Sequence, residues 1–172
     1  MLFLQSPSGW RLIASVVVTL VVAAFMAIQG VSAGRADETT RRALRPKLGY
    51  AIPILPRTAV ERDWFMALSA TAGLCEELIY RGFVVWALEP WLGLWGAAVA
   101  SVAAFGVAHA YLGRQGMLRA TLAGVVLGLI VLAFRSIYPA MILHVALDMG
   151  AGAVGFAVLR DAPAETSPTD AD

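Results

Sequence analysis

Apolar and polar positions fall along this chain in blocks longer than a soluble helix needs. Leu12–Gly34 carries no charged residue, and as a helix rising about 1.5 Å per residue it can cross a bilayer core of about 30 Å. Four further apolar stretches cover roughly 64–88, 91–112, 115–134 and 137–159. The pattern predicts an all-α, polytopic membrane helix bundle of about five transmembrane helices. Residues 35–63 instead hold eleven charged side chains together with Pro46, Pro53 and Pro56. Proline interrupts helical hydrogen bonding, so a charged loop is expected there. Trp64, Trp86, Trp91, Trp95, Tyr111 and Tyr138 lie near the ends of stretches, where amphipathic rings prefer the headgroup level. Pro139 suits the first turn of the last helix. The expected divisions are an N-terminal transmembrane helix (1–34), a charged cytoplasmic loop (35–63), a four-helix core (64–160) and a disordered acidic tail (161–172).

Composition narrows the class. Of 172 residues, 59% are hydrophobic and 15% charged, with a mean hydropathy of +0.74. A soluble domain this small could not bury so much apolar surface. A net charge of +1 and the lack of a basic groove interleaved with aromatics argue against nucleic acid as a partner. One cysteine excludes an intrachain disulfide framework. Seven Lys/Arg in 35–63, with Arg114, Arg119 and Arg160, lie on one side of the predicted membrane; Arg11 and Arg135 lie on the other. The positive-inside bias then puts the C-terminus in the cytoplasm and the N-terminus outside. A signal-peptide reading of 1–33 rests on Arg11, the apolar run and Val31-Ser32-Ala33. Cleavage there would leave the basic segment outside, so a retained helix is favoured. The Ala/Gly/Arg-rich composition, with a single Lys, points to a bacterial inner membrane.

The polar residues inside apolar stretches carry the chemistry. Glu76, Glu77 and Arg81 fall near the middle of 64–88, where each ionisable side chain costs about 2.5–3.5 kcal/mol on insertion scales. Glu77 and Arg81 stand four apart in the order that favours an ion pair on one helix face. Glu76 points about 100° away from Glu77 and needs a partner on another helix or trapped water. Phe105 and His109 are four apart on the third apolar stretch, and His144 and Asp148 four apart on the fifth. Three helices thus direct polar groups toward one interior cavity. Gly96, Ala97, Ala100, Ala104, Gly124 and Gly128 would let helices approach closely. Cys75, beside Glu76, reads as a small hydrophobe rather than a nucleophile.

The ordered set Glu-Glu-x-x-x-Arg at 76–81, Phe-x-x-x-His at 105–109 and His-x-x-x-Asp at 144–148 resembles the CAAX-prenyl-protease-like and bacteriocin-processing (Abi) family of intramembrane endopeptidases. The resemblance covers roughly residues 60–160. It implies hydrolysis of a peptide bond in a membrane-anchored or C-terminal segment of a protein or peptide substrate. Glu76 would activate water with help from His109, while His144 and Asp148 would stabilise the oxyanion; Glu77, Arg81 and Phe105 would support them. The best-known relatives carry Asn where this chain has Asp148. An ionised Asp only accepts hydrogen bonds, so Asp148 is either protonated or orients His144 by accepting a ring N–H. A third possibility is Zn²⁺ held by Glu76, His109, His144 and Asp148. No His-Glu-x-x-His sequence accompanies it, and a metal-independent scheme is favoured. Two other functions compete, an inactive scaffold or chaperone of the same fold and a small proton-coupled carrier.

Overall fold

The computed structural model describes residues 3–161, apart from the Tyr50 side chain. Among these residues the chain is helical and has no strand. The helices are α1 (Trp10–Arg35), α2 (Glu38–Leu48), α3 (Ala59–Glu77), α4 (Val85–Ala108), α5 (Gly113–Phe134) and α6 (Tyr138–Leu159). A π-helical turn, Leu78–Val84, joins α3 to α4, and short 3-10 turns cover Gly49–Ile54 and Ala110–Leu112.

Four stretches are long and apolar enough to cross a membrane: Trp10–Arg35, Ala59–Ala108, Ala110–Phe134 and Tyr138–Leu159. The second contains 50 residues and turns at Gly93, whose φ of +66° suits a residue without Cβ. Ser101 Oγ on the far side of the turn donates to Tyr80 O on the near side at 2.7 Å, so the two arms run back on each other. The chain therefore has the five apolar arms that the pattern predicts. The turn is later than expected. Glu89 and Pro90 remain helical, because a proline near a helix end forfeits one hydrogen bond whereas a positive φ needs glycine.

The charged segment also departs from a loop, since 38–48 folds as α2. Asp37 caps it by accepting the Thr40 N–H at 2.8 Å, and Glu38 takes Arg42 at 2.9 Å and Arg45 at 3.1 Å. Leu44 and Leu48 pack on Leu55, Val158 and Leu159. Pro46 is tolerated in the last turn, and the helix stops at Gly49, φ +46°. The predicted tail lies outside the described residues beyond Asp161.

Helix starts follow local chemistry. Thr58 and Glu61 form a capping box at α3, satisfying free amides at its N-terminus. Pro139 sits in the first turn of α6. The Ile137 N–H, just ahead of that helix, donates to Phe3 O at 3.0 Å. One core cluster gathers Val85, Ala97, Leu127, Val131 and Ile137 at the end where α5 turns into α6. Outward faces bear Leu20, Phe25, Trp64, Trp91 and Leu129, all exposed. An apolar exterior of this kind belongs in lipid, and the protein is an integral membrane helix bundle.

Candidate active site

Contact between α3 and α6 builds the site, and Gly73 permits it. A Cβ at Gly73 would stand 2.6 Å from Val145 Cγ2 and 2.7 Å from Val145 N, so no larger residue fits without moving a helix. One turn further along α3 come Glu76 and Glu77, facing His144 of α6.

Glu77 is fully buried and Arg81 nearly so. Arg81 Nη1 donates to Glu77 Oε1 at 2.6 Å, and Nη2 donates to Gly124 O of α5 at 2.9 Å. The guanidinium also lies 4.5 Å over the Phe105 ring, a contact favourable to a desolvated cation. The π-helical turn, a feature often found at functional sites, lies where Glu77 faces α6 and Arg81 faces α5. Glu77 Oε1 takes a second bond, from His144 Nδ1 at 3.0 Å. A carboxylate paired with Arg81 only accepts, so this ring nitrogen carries the proton.

The other edge of His144 faces looser company. Its Nε2 stands 3.9 Å from Glu76 Oε2 and 3.7 Å from Asp148 Oδ2, both beyond hydrogen-bond reach. The ring is thus oriented by Glu77, with Asp148 at its open edge. Glu76 Oε2 is buried and has no hydrogen-bond partner among the described residues. His109 ends α4 and places Nδ1 2.8 Å from Phe105 O. A carbonyl accepts, so Nδ1 is the protonated nitrogen, and the neutral ring offers an Nε2 lone pair. Phe105 lies against this imidazole at 4.6 Å between centroids.

Glu76, His109, His144 and Asp148 line one cavity of about 870 Å³. The three motifs therefore converge, as the sequence anticipates. Tyr111, which the sequence suggests only as a ring at the headgroup level, lines the same cavity and stacks on His109 at 5.9 Å. Residues two apart do not share a helix face, so only the helix end at His109 and the 3-10 turn after it bring these rings together. Among the described residues, no group of three or more His, Cys, Asp or Glu is placed to hold a metal ion.

Residues 61–150, just over half of the chain, match the family described as type II CAAX prenyl endopeptidase Rce1-like. The chain belongs to this Rce1-like family. The matched segment contains all three motifs and ends within α6, two residues after Asp148. No curated protein and no solved structure matches the chain. Membership places this Rce1-like chain among proteases of the membrane, and it shares the all-helical character expected of them.

Proposed function

We propose that the protein is an intramembrane endopeptidase that hydrolyses a peptide bond in a membrane-anchored or C-terminal segment, with Glu76 as the general base. The observation that carries this reading is the buried, unpartnered Glu76 Oε2 at a cavity shared with His109, His144 and Asp148. A water between Glu76 and a substrate carbonyl gives one proton to Glu76 as its oxygen bonds to the carbonyl carbon. His109 Nε2 accepts the water's other O–H and orients it. The carbonyl oxygen becomes an oxyanion, and His144 Nε2 faces it. With Nδ1–H already given to Glu77, His144 donates from Nε2 when the ring carries both protons. Fixed donors of this kind act strongly where water is scarce. The C–N bond then breaks, and the proton on Glu76 passes to the departing amine nitrogen.

Lys/Arg placement supports a cytoplasmic C-terminus and an external N-terminus. Ten of the 13 Lys/Arg belong to the end of the bundle that carries α2, and Arg11 and Arg135 to the other. No step above passes through a metal.

The test is Glu76→Gln in the full chain reconstituted in nanodiscs with a candidate membrane peptide. Cleavage falls at least about a thousandfold, in the range for loss of an essential base together with its positioned water, while helix content and abundance hold. Undiminished turnover overturns the assignment. Binding of partner proteins that survives replacement of all four residues, without detectable processing, favours a scaffold. Undiminished cleavage in a strong chelator supports the metal-independent route, and abolished cleavage overturns that route.

A further inference from the structure

Resting on the endopeptidase reading above, we infer that the cavity reads its substrate at two points. The scissile bond lies at Glu76, and an acidic group lies at Lys47 about 15 Å away, with four to five extended, apolar residues between them.

The depth follows from two helices. On α3 the lining runs from Phe65 to Glu76, and on α6 from Val154 to His144. At about 1.5 Å per residue these eleven and ten steps give a trough of about 15–17 Å. An extended chain covers about 3.3 Å per residue, so the trough holds four to five residues. Leu44 and Leu48 of α2 join the cluster that contains Phe65 and Val154. Lys47, between them in sequence and also lining the cavity, therefore sits at the level opposite the catalytic groups.

Charge gives the trough a direction. Its inner end carries Glu76 and Asp148, whereas Lys47 is a cation at its outer end and Arg119 of α5 adds another to the lining. Glu38, the acid in the first turn of α2, is already held by Arg42 and Arg45. Leu68, Ala72, Leu147 and Ala151 make the wall between the two ends largely apolar. A peptide with an apolar run beside the cut and an acid beyond it complements this arrangement, the acid being a side chain or a terminal carboxylate.

The experiment uses internally quenched apolar peptides with a single Glu walked in both directions from the cleaved bond. The full chain is embedded in nanodiscs of zwitterionic lipid, so that bilayer charge does not compete. A Glu four to five residues away raises kcat/KM three- to tenfold at low salt, mainly through KM, and the gain shrinks as salt rises. Lys47→Glu transfers the preference to peptides with Lys at that position, and Lys47→Arg keeps it. Arg35→Glu, at the end of α1 and outside the cavity lining, leaves it unchanged. A preference independent of Glu position, or one that survives Lys47→Glu, overturns the inference. Terminal amidation separates a carboxylate reader from a side-chain reader, since only the former loses its preference. If no peptide is cut, or Glu76→Gln cuts as well as the native chain, the endopeptidase reading fails separately. Fluorescence anisotropy of the same peptides on the embedded protein then decides the two-point reading, which stands if affinity follows the Glu position and Lys47.

Discussion

Glu76 and Glu77 share a peptide bond and have opposite surroundings, and His144 stands between them. Glu77 is wholly buried, with Arg81 and His144 Nδ1 both on its Oε1. Glu76 keeps 29% of its side chain exposed and meets His144 only at 3.9 Å. One carboxylate is spent on holding a cation and a ring, so its charge is matched. Each keeps a buried Oε2 without a hydrogen-bond partner among the described residues. Only Glu76 lines the cavity, however, and no Arg or Lys among those residues is paired with it, which is the condition for taking a proton from something that enters. A helix can assign such different roles to neighbours because successive residues point about 100° apart.

Exchanging the two roles by mutation gives the largest contrast. Glu76→Gln abolishes cleavage by three orders of magnitude or more, roughly 4 kcal/mol of barrier, with little change in melting temperature. Glu77→Gln strips Arg81 of its countercharge in the bilayer interior, and breaking a buried pair from one side costs about 3–5 kcal/mol. Its melting temperature therefore drops along with activity. Removing both charges, as Glu77→Leu with Arg81→Met, restores stability but leaves His144 unheld and cleavage weak. A thermally unchanged Glu77→Gln would erase the distinction.

A smaller effect comes from the contact that brings both carboxylates to His144. Gly73→Ala forces a methyl against the Val145 backbone, and overpacking of this kind costs about 1–3 kcal/mol. Because α3 must move off α6, cleavage falls about ten- to a hundredfold, more than the loss of folded protein explains. Activity per folded molecule, with the folded fraction measured by size exclusion, separates displacement from unfolding. Equal activity per folded molecule would show that the loop segments, not helix contact, set the Glu76–His144 spacing.

Smaller again is the effect of Tyr111. Tyr111→Phe keeps the ring on His109 and holds kcat within about twofold. Tyr111→Ala loses the stacking, worth about 0.5–1.5 kcal/mol between aromatic rings, and lowers kcat about three- to tenfold at unchanged KM. A loss in Tyr111→Phe as deep as in Tyr111→Ala would move the role from ring to hydroxyl.

What could be read from residues alone divides along the same line. Charges four apart on uninterrupted apolar helices, Glu77 with Arg81 and His144 with Asp148, are visible because helix geometry converts spacing into direction. The five apolar arms are legible for a similar reason, since the cost of burying backbone in lipid leaves helices as the form for long apolar runs. Relations that depend on tertiary placement are not legible. That Glu77, not Asp148, orients His144 follows from how close α3 comes to α6 at Gly73, a distance no spacing encodes. Tyr111 required a helix end at His109. Helix α2 was hidden by its own composition: Pro46 and four basic residues suggest a loop until Asp37 caps the helix and Leu44 and Leu48 find Leu55 and Val158.

The smallest expected effect lies at that cap, outside the membrane arms, and it contrasts a solvated carboxylate with Glu76 and Glu77. The Asp37 carboxyl is held below the usual carboxylate range, first by the side-chain hydrogen bond with Thr40 and then by the Thr40 backbone N–H. A lowered value means that the ionised cap favours the folded helix. Its contribution is complete above the ordinary Asp value of about 3.9 and is lost as pH falls through the lowered one. Amide-exchange protection across Thr39–Arg41 should therefore decline below about pH 4, while protection in α3 and α6 holds. Glu38 titrates nearby, lowered first by its bond to Arg42 and also by Arg45, and would contribute to the same decline. Asp37→Ala separates the two. With the cap gone, the first turn is already less protected at neutral pH, and the pH dependence that remains belongs to Glu38. If Asp37→Ala leaves the native profile unchanged, the ion pairs of Glu38, not the cap, hold the start of α2.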